Sequence, residues 1–253
     1  MLGPDIWVRG NLMFKPIAAV FAAATLSTAA FAGTVVLPNG TVTAISALSP
    51  AAAPFAIANL GTGNGLGFQS SAPITVGGAV ITFTPNASAP FSGVYSGSVA
   101  NVSQSPFTGT SIGSTNANYL VAQPNNNVTF TYTTAQTAFN LLWGTVDTFN
   151  NVNFQLFNGN NLVGSQLVTG SNVATAAGIS ANGTTPAYVT LTANQGVTFN
   201  RIVFTSNGQA FEFAPGVTGA VPEPATWGMM ILGVGAAGGA LRRRSAATKL
   251  RLA

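Results

Sequence analysis

No cysteine and no histidine occur among the 253 residues, and only 5% of them are charged, against about 25% in an ordinary soluble domain. Absence of cysteine excludes a disulfide framework and thiolate metal sites, while leaving the compartment open. Absence of histidine removes the commonest general base and metal ligand. The formal net charge of +4 sits at the two ends. Arg9 and Lys15 lie near the start, and Arg242, Arg243, Arg244, Lys249 and Arg251 near the finish. Between Gly33 and Ala220 the charged residues are Asp147, Arg201 and Glu212 alone. A nucleic-acid reader needs Lys and Arg spread over a face to neutralise phosphates. One Arg cannot do that, so no nucleic-acid partner is expected.

What is present is best read from the ends inward. Met13-Phe14-Lys15 is a short positive stretch, Ile17 to Ala30 is apolar and rich in Ala, and Ala30-Phe31-Ala32 places small residues at −3 and −1 of a cleavage site. That layout predicts a signal peptide over residues 1–32, export through the secretion translocon, and cleavage by signal peptidase between Ala32 and Gly33. Asp5 and Arg9 fit the pattern poorly, so Met13 is the better start, with a longer leading region as the alternative. The competing reading of the stretch is a buried helix, which would not need the cleavage site.

At the other end nothing is charged from Thr226 to Leu241. At 1.5 Å per residue this helix would span roughly 24 Å, short of a hydrocarbon core of about 30 Å. Flanking anchors and local thinning cover such a gap. Met229, Met230, Ile231 and Leu232 supply the apolar body. Trp227 suits one interface, and Arg242, Arg243 and Arg244 suit the cytoplasmic side as a stop-transfer signal. The expected arrangement is a single inner-membrane span over about 226–241, an exported domain, and a short cytoplasmic tail over 245–253.

The segment Val221 to Arg244, with Pro222-Glu223-Pro224, Trp227, Met229-Met230, Gly233-Val234-Gly235 and the Arg cluster in that order, resembles the PEP-CTERM sorting domain. The resemblance implies processing by an exosortase, a membrane-embedded transpeptidase-like enzyme of Gram-negative bacteria that often make exopolysaccharide. Pro222, Glu223 and Pro224 would be the recognition element, held extended by the two prolines. Gly228 stands where Ala is usual, and the chain runs on past Arg244. A plain anchor that is never cleaved is the alternative. Thr and Asn arrays also raise ice binding. An ice-binding face needs a regular lattice of Thr, and here the Thr residues have no period.

Residues 33–220 read as strands and turns, with Pro, Gly, Asn and Ser recurring about every ten residues. Candidate strands are Thr41–Ile45, Ile74–Thr84, Val94–Val99, Val128–Thr133, Ala138–Trp143, Val152–Phe157, Leu162–Thr169, Ala187–Thr192 and Val197–Thr205. Asn158-Gly159 and Asn207-Gly208 predict two hairpins, the second leading into Phe211–Phe213. Ser49 to Ser71 reads as a long loop. The Ala-rich patch at Ala174–Ala177 is too short to predict a helix. The expected fold is all-β, an antiparallel β-sandwich of jelly-roll type, flanked by the signal-peptide helix and the transmembrane helix. Within it, Leu141 to Phe154 resembles a Trp-Gly-Ser-x-Asp-x-Tyr-Asn stretch of β-sandwich domains in exosortase-dependent surface proteins, with Thr145 for Ser and Phe149 for Tyr.

Three chemistries compete for the polar residues. Asp147 and Glu212 could form the carboxyl pair of a glycosidase, with little around them to tune it. Otherwise Asp147 caps the turn after Trp143 and Glu212 pairs with Arg201 across the Asn207-Gly208 hairpin. Asp147, Asn150 and Asn151 could offer oxygens to calcium, although a tight site wants more carboxylates. Trp143 could stack on sugar, but beside a strand end it more often belongs to the core. No histidine and no lysine remain in 33–220 to activate a Ser or Thr nucleophile. The reading is therefore a non-catalytic surface or extracellular-matrix protein without an obligatory cofactor, associating with exopolysaccharide or with itself, with a calcium-assisted carbohydrate-binding module as runner-up.

Overall fold

The computed structural model describes residues 33–45, 53–84, 90–114 and 116–217. The expected signal peptide with Ala30 and Ala32, the sorting motif Pro222-Glu223-Pro224, the apolar segment and the Arg cluster lie outside the described residues. Gly33 is the first residue of the first strand. The elements in chain order are β1 (Gly33–Leu37), β2 (Gly40–Ile45), β3 (Gly67–Ser70), β4 (Ile74–Val76), β5 (Ala79–Phe83), β6 (Gly93–Ser96), β7 (Asn118–Ala122), β8 (Asn127–Gln136), β9 (Ala138–Trp143), β10 (Asn151–Asn158), β11 (Asn161–Thr169), α1 (Gly170–Ala177), β12 (Ala187–Ala193), β13 (Phe199–Ser206) and β14 (Phe211–Pro215). They form an eight-stranded sheet, ordered β1-β2-β12-β9-β14-β7-β6-β3, and a six-stranded sheet, ordered β11-β10-β13-β8-β5-β4.

Alternation decides which side chains meet between the sheets. In β8, Val128, Phe130 and Tyr132 are buried while Thr131 and Thr133 are exposed, as a two-residue period requires. Phe130, Phe154 and Phe204 come from the six-stranded sheet. Phe139, Phe211, Phe213 and Trp143 come from the eight-stranded one. Phe204 is fully buried and lies 4.9–5.4 Å, ring centre to ring centre, from Phe130, Phe139, Phe154 and Phe213. Edge-on and tilted geometries of this kind add to the burial itself. With no disulfide available, this aromatic layer holds the two sheets face to face.

The outer face of the eight-stranded sheet is also covered. Tyr119 and Val121 of β7, Leu142 of β9, Tyr188 of β12 and Ala214 of β14 point away from the aromatic layer. They form a second buried cluster with Phe107 and Ala210. Phe55 of the irregular segment packs edge-on against Tyr188 at 5.1 Å. The sheet is thus buried on both sides over much of its area.

Several expectations are corrected. Ile74–Thr84 is two strands, because Gly77 and Gly78 both take left-handed φ angles of 57° and 78° and turn the chain between β4 and β5. β3 lies within the stretch expected to be loop. α1 is a helix that the sequence did not suggest. Thr169 and Asn172 cap its start reciprocally and Gly178, at φ 65°, ends it. Asn in place of the usual Glu or Gln hid the capping box. The Asn158-Gly159 hairpin forms, with Gly159-Asn160 as its two loop residues and Asn158 paired to Asn161. Asn207-Gly208 makes no hairpin: β13 lies in the six-stranded sheet and β14 in the other, so this turn carries the chain across the sandwich.

Phe204→Ala removes the ring shared by four aromatic neighbours. The expected loss is about 3–5 kcal/mol, read as a lower midpoint in urea unfolding at constant slope. Val36→Thr, at a site that is 77% exposed, should leave the midpoint unchanged.

Candidate functional site

Glu212 sits in the sequence Phe211-Glu212-Phe213, and both phenylalanines are fully buried between the sheets. Alternation therefore turns Glu212 to the outer face of the eight-stranded sheet. There it is only 4% exposed, beneath the loop that joins β6 to β7. Its Oε1 accepts from the Gln104 backbone N–H at 2.9 Å, and its Oε2 accepts from Thr145 Oγ1 at 3.4 Å. The loop is tied down from below as well. Tyr119 Oη donates to the Gly97 carbonyl at 2.7 Å and meets Ser103 Oγ at 3.0 Å.

Asp147 reaches the same place from the segment between β9 and β10. Gly144 N–H donates to the Glu212 carbonyl at 2.8 Å, and Gly183 N–H donates to the Val146 carbonyl at 2.9 Å. Thr145 takes a left-handed φ of 26°, an uncommon conformation for a β-branched residue, and its hydroxyl meets Glu212. Asp147 Oδ1 accepts from the backbone N–H groups of Phe149 and Asn150 at 3.1 and 2.6 Å, and Oδ2 accepts from Asn150 Nδ2 at 3.0 Å. The turn-capping role expected of Asp147 is the one the geometry shows. Gly170 allows α1 to start against this turn, since a Cβ there would collide with the Asp147 carbonyl.

Asp147 and Glu212 line one cleft of about 760 Å³. Its exposed polar lining is neutral: Ser98, Asn101, Gln104, Thr108, Asn182 and Gln209. Phe149, 61% exposed, adds one aromatic face. Burial pushes the Glu212 carboxyl from an ordinary 4.5 up to about 8; Gln104 and Thr145 pull it back, and the Asp147 charge pushes it further up. Burial also raises Asp147, opposed by the N–H groups of Asn150 and Phe149. The cleft thus sets two buried acidic side chains among neutral amides and hydroxyls, with no Lys or Arg in its lining.

The expected pairing of Glu212 with Arg201 is not made. Arg201 belongs to the other sheet, where its guanidinium lies 3.9 Å from the Phe157 ring centre and donates to the Gly159 carbonyl at 3.4 Å. Trp143 is no sugar platform: it is fully buried, 4.6 Å from the Phe211 ring, as the core reading expected. Of the calcium candidates, Asp147 and Asn150 line the cleft and Asn151 opens β10 outside it. Asn150 Oδ1 and Asn151 Oδ1 are buried without a donor, but both Asp147 oxygens already serve the turn. Among the described residues no three acidic groups gather as a metal cluster would need. The sequence reading missed the contribution of the loop carrying Asn101 and Gln104, whose residues have no pattern of their own.

The domain is thus a two-sheet β fold with a polar cleft, free of Lys and Arg, on the outside of one sheet. Residues 220–244 match the family model of the PEP-CTERM protein-sorting motif, so the chain carries that motif, which implies exosortase-dependent sorting of an exported surface protein. No curated protein and no solved structure matches the chain. Among the described residues no helix is long and apolar enough to cross a membrane.

Glu212 makes stability depend on pH in one direction. Below about pH 4.5 the carboxyl is protonated in both folded and unfolded chains. Between 4.5 and about 8 the folded state keeps a proton that the unfolded state has released, so stability falls by up to about 1.4 kcal/mol per pH unit. Above 8 the slope disappears. Glu212→Gln, which mimics the neutral carboxyl, should leave the melting temperature near its original value at pH 4 and raise it at pH 8. A parallel fall with pH in both proteins would refute this.

Proposed function

We propose that this protein is a non-catalytic component of the bacterial surface or extracellular matrix, delivered by an exosortase, whose β domain associates with exopolysaccharide through the Asp147–Glu212 cleft. The observation that carries the reading is the cleft's chemistry. Exposed amides and hydroxyls surround two buried carboxyls, and Phe149 offers an apolar face. Sugar hydroxyls both donate and accept, so a lining of this kind satisfies them. A phosphate or carboxylate ligand would want Arg or Lys, and the cleft has neither. The Asp147 oxygens are engaged in holding a turn, which suits binding better than proton transfer.

Self-association is the second reading, and β11 favours it. This nine-residue strand is an edge of the six-stranded sheet and exposes Leu162, Val163 and Leu167 at 54%, 38% and 48%. Uncharged apolar edges invite pairing with a second chain. Asn39 Nδ2 on the Ser165 carbonyl and Gln166 Nε2 on the Leu167 carbonyl partly cap it.

The sorting half is tested in the protein's own host, with and without the exosortase gene, by intact mass and fractionation. The expected product begins at Gly33, ends near Pro222-Glu223-Pro224, and leaves the cell with the polysaccharide; it disappears in the deletion strain. An identical unprocessed C-terminus in both strains would make the protein a plain anchored one and remove the support for a matrix role.

A further inference from the structure

Next to the cleft lies a second hollow of about 400 Å³, bounded mainly by Phe68, Phe91 and Tyr95. Val99, Val102 and Gln209 line both hollows, so the two share a wall. The aromatic groups are held in place by the protein itself. Phe68 of β3 lies 5.2 Å from the Phe91 ring and 5.6 Å, edge-on, from Tyr95. Tyr95, 2% exposed, donates from Oη to the Phe91 carbonyl at 2.7 Å. Phe68 is 40% exposed and Phe91 half-buried. An exposed phenylalanine braced against two buried or half-buried rings keeps its flat face without further ordering, which lowers the entropy cost of binding.

We propose that the two hollows are adjoining subsites of one groove for a single neutral glycan chain. Phe68 and Phe91 form a stacking shelf for one sugar ring, and Asn101, Gln104 and Gln209 hydrogen-bond the hydroxyls of a neighbouring one. The proposal rests on the glycan reading above and extends it to a second site and a ligand class. Two arguments fix the class. The shelf is apolar and aromatic, which matches the C–H face of a pyranose ring. Neither hollow contains Lys or Arg, so a polyanion finds no counter-charge in the groove. Glu212 Oε1 accepts from the Gln104 backbone N–H at 2.9 Å, which ties down the loop that carries Gln104 along the cleft. A chain that occupies both subsites gains over a short sugar because the second contact is intramolecular.

The test is affinity electrophoresis of the full chain in non-ionic detergent, through native gels containing a neutral β-glucan or a polyuronate. The expected result is retardation by the neutral glucan alone, with little competition from a disaccharide. Phe68→Ala/Phe91→Ala should weaken retardation about tenfold or more, and Asn101→Ala/Gln104→Ala should weaken it as well. Melting curves check folding; if the aromatic double variant melts early, Phe68→Leu, which keeps the apolar volume and removes the flat face, takes its place. Full retardation of the shelf variants alongside loss in Asn101→Ala/Gln104→Ala would overturn the shelf and leave the cleft reading standing. Retardation by the polyuronate alone would overturn the ligand class. No retardation of the unaltered chain by either polymer would defeat both this proposal and the glycan reading beneath it.

Discussion

Everything in this domain depends on the burial of one aromatic layer between two sheets. The stretch from Gly33 to Ala220 has no cysteine and three charged residues, so neither cross-links nor ion-pair networks can hold it. Apolar burial, at roughly 25 cal/mol per Å², has to do so. Phe204 touches rings from both sheets, and the strands that carry those rings are far apart in sequence. The layer therefore sets the strand order as well as the stability.

The cleft is a by-product of the same alternation. Phe211 and Phe213 must face inward, so Glu212 must face outward. A carboxylate there would ordinarily be solvated at no cost. The loop between β6 and β7 covers it, Tyr119 and Ser103 fasten the loop, and the segment after β9 brings Asp147 alongside. The result is a costly buried acid whose proton is retained at neutral pH, surrounded by neutral amides and hydroxyls. Buried ionisable groups without a counter-charge are rare in structural roles. The two hollows that meet at Gln209 are where the domain departs from the simplest way to build a stable sandwich.

Strands with clear alternation or turn signals were legible. Ala138–Trp143 is β9 residue for residue, and the period of Val128 to Thr133 gave the buried face of β8 correctly. The sorting motif was legible for a different reason: it is a linear signal read by another protein and needs no fold to be recognised. β1, β3 and β7 were missed because they are short and their neighbours are Gly, Ala or Asn. α1 was missed because its caps are Thr169, Asn172 and Gly178, where the Asn departs from the usual pattern. The Asn207-Gly208 turn misled because Asn-Gly reports local chain reversal and carries no information about which sheet receives the next strand.

The sequence alone determined the all-β character, the isolation of charge at the two ends, the sorting address, and the outward direction of Glu212. Each is set by residues within a few positions of one another, where side-chain period and backbone preference act directly. Tertiary structure alone decided that Glu212 would be covered, that Arg201 would lie on the opposite sheet, and that Asp147 would share a cleft with Glu212. It also placed Phe68 and Phe91 next to that cleft. These depend on contacts between segments separated by tens of residues, and the energy that selects them is spread over the whole aromatic layer, where no local pattern records it.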